Sequence, residues 1–249
     1  MTDAWSRYLD PDMAPLPDHV VVALQHGPVA PTAIASLPDG YAVHRDRSIE
    51  VAVRTLMPGV TPAMWDWWFG WHGSRDSRYR LWHPLAHVSA QWADGLNGEA
   101  ADADPRRGRE RYVGRTSHVV EHLGSTLVRG AISFVPPGEF GLDDPPPARG
   151  TRVCAVLGLS QAPVDVGRFV HDVRAVDGGS EMWSRFWLGG RLAVLRRGGA
   201  RLRGASTTLL RPLARRNELD ARALLVHCAQ EMNHLAVRLP DLYADFGDS

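Results

Sequence analysis

Regular alternation of apolar and polar positions first appears at Ser48–Thr55, inside the run YAVHRDRSIEVAVRTL, and predicts a β-strand there. Thr61 followed by Pro62 has the form of a helix N-cap with proline in the first turn. The segment PAMWDWWFGWHG then continues as an aromatic helix that stops at Gly73. Short β-favouring runs recur at Tyr79–Trp82, Arg115–Leu123, Thr126–Phe134, Arg152–Gly158, Gly167–Val176 and Glu181–Leu188, with a proline- and glycine-rich loop over 136–150. Glu218–Leu239 carries the longest helical period. Asn217 can cap it, Glu218 and Asp220 suit its first turn, and Pro240 follows its end. Residues 1–40, rich in proline and aspartate with one apolar run at Val20–Leu24, read as an N-terminal arm or irregular cap before a domain spanning 41–249. Many antiparallel strands, one short aromatic helix and one long final helix predict an α+β fold, a curved sheet wrapped around the C-terminal helix. No glycine-rich βαβ unit and no internal repeat compete with that order.

Composition narrows the function. The 249 residues are 44% hydrophobic with a formal net charge of zero, so no basic field exists to hold a nucleic acid or an anionic membrane surface. All the cationic side chains are arginines, and the absence of lysine excludes lysine Schiff-base catalysis and a P-loop lysine. The start of the chain is acidic without an apolar run, no window reaches a membrane-span length, and two cysteines are too few for a disulfide framework. A cytoplasmic protein is expected.

Four clusters could carry chemistry. On the last helix, His227 and Glu231 stand four apart on one face, with His234 a further turn along and Leu224 and Leu235 on the same stripe. A buried imidazole and carboxylate need each other or a metal ion, and the spacing alone leaves a hydrogen-bonded pair at a helix edge as good a reading. Around Pro84, His83 and His87 suggest a loop. In a strand over Ser117–His122, Glu121 would share a face with Val119, and His118 and His122 would take the other. His171 alternates with Phe169 and Val173 as a core histidine would. The near-miss elbow Gly158-Leu159-Ser160-Gln161-Ala162 lacks a following helix. Trp65, Trp67, Trp68 and Trp71 read as core or pocket wall rather than as a stacking platform for bases or sugars.

Taken in order, the Trp-Trp-Phe helix ending in Trp71-His72, the Tyr79-x-x-Trp82-His83-Pro84-x-x-His87 block, a Ser117-x-x-x-Glu121 strand, the Phe169-x-His171 and Arg185-Phe186-Trp187 strands, and His227-Cys228-x-x-Glu231-Met232-x-His234 form a pattern. It resembles the 2,4-diacetylphloroglucinol hydrolase family, zinc enzymes that hydrolyse a carbon–carbon bond between an acyl group and a phloroglucinol ring. The resemblance runs from about Tyr41 to Tyr243. It implies a helix-grip fold of the Bet v 1 and START-like kind, and a Zn2+ ion held by two histidines and two glutamates falling on His87, Glu121, His227 and Glu231. The choice between His83 and His87 as first histidine rests on a substrate tyrosine that then falls on Tyr79. The resemblance places His171 near the reacting acyl group, and Tyr79 on a substrate oxygen. Trp68 is expected in the substrate pocket, and His83, His118 and His234 are expected to support the ligands from behind. Two family contacts to ring hydroxyls, an asparagine and a tyrosine, fall on Ala90 and Phe186. The expected substrate is therefore an acyl-aromatic ketone or β-diketone other than diacetylphloroglucinol, taken by a monomer or homodimer with no nucleic-acid or membrane partner. Two competing readings are a non-enzymatic carrier of small apolar ligands and a metal-free polyketide cyclase-like protein with His171 as base.

Overall fold

The alternating runs of the sequence pair into one sheet. A computed structural model describes residues 3–197, 200–202, 210 and 215–247. In chain order the elements are α1 (Asp18–His26), β1 (Gly40–Val43), β2 (Ser48–Pro58), α2 (Pro62–Trp71), α3 (Asp76–Trp82), β3 (His87–Trp92) and α4 (Gly98–Asp102). Five longer strands and hairpins continue the sheet: β4 (Thr116–Leu123), β5 (Thr126–Val135), β6 (Gly150–Leu159), β7 (Val164–Val176) and β8 (Gly179–Gly189). Then come β9 (Val194–Arg197), β10 (Ala200–Leu202), the long helix α5 (Glu218–Ala236) and α6 (Leu239–Phe246).

Strand order is β1-β2-β8-β7-β6-β5-β4-β3, with β9 paired to β7 and β10 to β9, every pairing antiparallel. Helix α5 touches β1 and β2 near one end of that order and β4 near the other. In a flat sheet β2 and β4 would lie about 24 Å apart at the usual spacing of about 4.8 Å per strand, twice the width of a helix. The sheet is therefore curled around α5, which is the helix-grip arrangement expected from the sequence. Asn217 caps α5 by accepting from the Leu219 and Asp220 amides, and the Asp220 carboxylate accepts from the Asn217 amide at 2.8 Å, a reciprocal cap that fixes where the helix starts.

In β2, Ile49, Val51 and Val53 turn to the main core while Ala52 packs with Ala42 and Ile34 under the N-terminal segment. Helix α2 buries Trp65, Trp67, Trp68, Phe69 and Trp71, so its apolar residues go all round because every side is covered. Trp5 meets Trp71 edge-on at 5.5 Å, which ties the start of the chain to that helix. No described helix is long and apolar enough to cross a membrane.

Several elements differ from expectation. Tyr79–Trp82 is the end of α3, not a strand. Its buried positions Arg78, Tyr79, Leu81 and Trp82 follow helical spacing, and a four-residue aromatic run cannot distinguish the two periods. The final helix stops at Ala236, and Pro240 opens α6 because proline is at home in a first turn. Part of the N-terminal segment is helical, since Val20–Leu24 sits in α1. The strands β1, β3, β9 and β10 are too short to have stood out in the alternation.

Candidate metal centre and cavity

Helix α5 delivers His227 and Glu231 one turn apart, and the β3–β4 ladder delivers His87 and Glu121 as directly opposed residues. Opposed residues of an antiparallel pair have Cβ atoms about 5 Å apart. A bulge between His87 and Ser89 lets His87 turn inward beside Glu121. One ligand atom each from His87, His227 and Glu231 lies within 4.8 Å of the others. His87 Nε2 is 3.4 Å from His227 Nε2 and 3.4 Å from Glu231 Oε2, and His227 Nε2 is 3.7 Å from Glu231 Oε2. Glu121 Oε2 completes the group, 3.7 Å from His87 Nε2 and 4.0 Å from His227 Nε2.

A tetrahedral ion with bonds of about 2.0–2.1 Å has ligand–ligand edges of about 3.3–3.4 Å. The observed edges match or slightly exceed that value, so a modest inward movement would close the four atoms on one ion. The charges ask for the same thing. Burial, with the nearby charge of Glu121, drives the Glu231 carboxyl well above its ordinary range. Burial also raises Glu121, against the opposing effect of a hydrogen bond from Tyr79. Burial lowers His227 to about 4 and holds His87 well below its usual value. A buried carboxyl beside a half-buried one, with neutral imidazoles between them, is a setting that a cation would stabilise.

The surroundings fix the ligand atoms. His87 Nδ1 donates to the Tyr79 carbonyl at 3.0 Å, which leaves Nε2 as a lone pair facing the cluster. The Tyr79 ring lies flat on His87, 3.8 Å between centroids and 3° between planes. Its hydroxyl donates to Glu121 Oε2, and burial followed by the Glu121 charge keeps that phenol protonated. Helix α3 thus makes one residue, Tyr79, orient two of the four groups. His83 stacks on His227 at 5.0 Å and 18°, and it is His87, not His83, that stands with His227 and Glu231 in the group that could hold a metal ion.

A cavity of about 940 Å³ opens beside Glu121, His227 and Glu231, and Tyr79, His171 and Phe186 also line it. His171 is packed among aromatic rings: Phe69 stacks at 5.9 Å, Phe169 lies at 4.5 Å and Phe186 meets it edge-on at 5.5 Å. Its Nδ1 is 2.8 Å from Ser184 Oγ, on the opposed residue of β8.

Four expected contacts are corrected. Trp68 is fully buried behind His72, and Ala90 is fully buried with its amide donating to Asp76, so neither is part of the cavity wall. His118 is exposed on the face of β4 opposite to Glu121 and cannot orient it, because neighbouring strand positions point to opposite sides. His234 is fully buried, yet its ring makes no hydrogen bond to Glu231 or to any other described group. Residues three apart fall short of a full helical turn and share a side only approximately, and the His234 ring lies within reach of the charges of Arg238 and Asp10. Residues that the sequence did not single out are His72, which lines the cavity, and Ser184. His72 stands four after Trp68 on the aromatic helix, a spacing that was visible, whereas Ser184 is defined only by sheet register.

Burial pushes His171 down to about 3 and His72 to about 4. Both are neutral in the folded protein, while in the unfolded chain each takes up a proton near the ordinary value of 6.5. Their contribution to stability is complete above that value and is lost as pH falls towards 4 and 3, by up to about 1.4 kcal/mol per pH unit for each ring. Thermal unfolding between about pH 7 and 5 should show Tm falling with pH, less steeply in His171→Gln; equal slopes would remove His171 from this dependence.

The sequence profile of the DAPG hydrolase PhiG domain family matches residues 32–244. The chain belongs to this family. It is 31% identical to a 2,4-diacetylphloroglucinol hydrolase of Pseudomonas sp over 98% of this chain and 88% of that one. A second 2,4-diacetylphloroglucinol hydrolase, from Pseudomonas protegens, is also 31% identical over 98% of this chain and 84% of its own length. The phloretin hydrolase of Eubacterium ramulus is 27% identical over 99% of this chain and 91% of that one. Among solved structures, Ara h 8.0201 aligns over 76% of this chain and 99% of its own, with a TM-score of 0.37 and 13% identity.

Proposed function

We propose that this chain is a zinc-dependent hydrolase that cleaves the carbon–carbon bond joining an acyl carbonyl to an aromatic ring or to the central carbon of a β-diketone. The observation that carries the reading is the convergence of His87, Glu121, His227 and Glu231 from two strands and one helix onto a point beside the cavity. Two imidazoles and two carboxylates in tetrahedral spacing are a donor set that suits zinc. Named relatives acting on acylated phenols support the substrate class. Phe186 lines the cavity where the family resemblance implies a tyrosine contact to a ring hydroxyl, which argues for a ketone other than diacetylphloroglucinol. The reading sets the protein in the cytoplasm, where the buried cysteines Cys154 and Cys228 remain free.

A zinc ion held by His87, Glu121, His227 and Glu231 would supply Lewis acidity and activate water at neutral pH. The chain's own residues do the rest. Tyr79 holds Glu121 through its hydroxyl and His87 through its carbonyl, so the two strand ligands keep their geometry as substrate arrives. The phenyl rings of Phe69, Phe169 and Phe186 exclude water around His171. His171, with Nδ1 tied to Ser184, carries a proton to or from the reacting acyl group and the leaving carbon, which departs with its electrons delocalised as an enolate or phenolate.

The test is removal and return of the metal. Chelator-treated protein should release no carboxylic acid from acylphenol or β-diketone substrates, and one equivalent of zinc should restore release. Equal rates with and without metal would overturn the reading in favour of metal-free chemistry. Tyr79→Phe should keep zinc and lose about 10–100-fold in kcat, the usual effect of removing a group that orients a ligand. Unchanged kcat in that variant would show that the Glu121 contact does not matter to turnover.

A further inference from the structure

His72 is 4% exposed, and it forms part of the cavity wall. Its Nδ1 lies 2.7 Å from the Trp68 carbonyl one turn earlier on the chain. A carbonyl oxygen only accepts, so Nδ1 carries the proton, and in a neutral ring Nε2 is then a bare acceptor. Burial keeps the ring neutral. No described group hydrogen-bonds Nε2, and it is absent from the polar atoms sealed away from solvent without a partner.

The ring is also held rigidly. It stacks on Trp68 at 5.1 Å and 19° and on Tyr79 at 5.8 Å and 22°, while Phe69 and Trp82 close on it edge-on at 5.7 and 5.1 Å. Tyr79 continues the column onto His87. A phenylalanine could make every one of these ring contacts. What the imidazole adds is a single fixed acceptor, on a cavity wall otherwise rich in apolar side chains, and an acceptor there is costly to leave without a donor.

We propose that His72 is a substrate-binding residue whose Nε2 accepts a hydrogen bond from a hydroxyl group on the ring of a phenolic ligand. The inference rests on the hydrolase reading for the substrate class, and it supplies, from the turn that follows α2, a polar contact that Phe186 does not. Among the ketones the cavity could take, it selects hydroxylated rings over bare aryl ketones and simple β-diketones.

The experiment is a binding cycle on the zinc-loaded protein, read by quenching of tryptophan fluorescence. Trihydroxyacetophenone and acetophenone are titrated into wild type, His72→Phe and His72→Gln, with zinc content measured in each. The wild type should prefer the hydroxylated ketone by about tenfold or more, the range for a hydrogen bond to a buried acceptor. His72→Phe should lose that preference with zinc intact, and His72→Gln, whose amide oxygen can reach the same place, should keep part of it. Should the Phe variant fail to fold, the nitrogen NMR signal of His72 Nε2, assigned with the Gln variant, should move on adding trihydroxyacetophenone and stay still with acetophenone. Equal affinities in the wild type, an undiminished preference in His72→Phe, or an Nε2 signal indifferent to the hydroxyls would each overturn the proposal. Carboxylic acid release in the same samples reads the hydrolase proposal separately. His72-dependent preference without turnover would leave the binding role standing and remove the reaction.

Discussion

Glu231→Gln is expected to strip the metal from the purified protein and to lower kcat by about 10³-fold or more, about 4 kcal/mol of activation free energy. Its Oε2 is 3.4 Å from His87 Nε2 and 3.7 Å from His227 Nε2, so it belongs to the tightest triangle of the centre. An amide oxygen keeps the shape but not the charge that holds a divalent cation. The same substitution predicts an opposite effect on the metal-free protein. Burial and Glu121 both disfavour the Glu231 carboxylate, so the metal-free variant should unfold at a temperature no lower than the metal-free wild type. Added zinc should raise Tm in the wild type alone, by mass action on the folded state. Elemental analysis beside a thermal scan checks both parts. A variant retaining full metal and full activity would take Glu231 out of the site.

His171→Gln is expected to keep its zinc and to lose about 10²–10⁴-fold in kcat, the range for a group that moves a proton in the transition state. His171 lines the cavity without being a ligand, and Ser184 fixes its Nδ1 at 2.8 Å. Ser184 also lies close enough to the Cys228 thiol, on the residue after His227, to act on it electrostatically, so His171, Ser184 and α5 meet here. Burial without a charged partner holds the ring neutral, so it first accepts a proton, which negative charge building on the acyl group favours, and then returns it to the leaving carbon. Full zinc occupancy with a steep loss of kcat supports this role; kcat equal to that of the wild type would reduce His171 to packing.

The meeting of His227 and Glu231 on α5 was legible because helical spacing alone puts them on one side, beside Leu224 and Leu235. Glu121 was legible for the equivalent reason in a strand, since its face is set by Val119. The pairing of His87 with Glu121 was not, because it depends on a strand of six residues and a bulge that no alternation announces. Tyr79 lines the cavity from a helix, whereas its sequence suggests a strand: a short aromatic run satisfies both periods, and only the turn through His83 to His87 decides between them. The supporting roles fared worst. His118 and His234 are near Glu121 and Glu231 in sequence, but an odd number of positions along a strand, or three along a helix, carries a ring to another neighbour. His72 and Ser184 act through contacts between separate elements, which the order of residues does not display.

The most direct measurement is hydrolysis of a hydroxylated aryl ketone by the zinc-loaded protein in water enriched in heavy oxygen, with products identified by mass spectrometry. The account predicts a carboxylic acid carrying one solvent oxygen and an arene that has gained hydrogen at the broken bond, with neither formed once the metal is removed. A ketone that binds in the cavity and is recovered intact in the presence of zinc would contradict it, and would leave a ligand-binding protein in place of an enzyme.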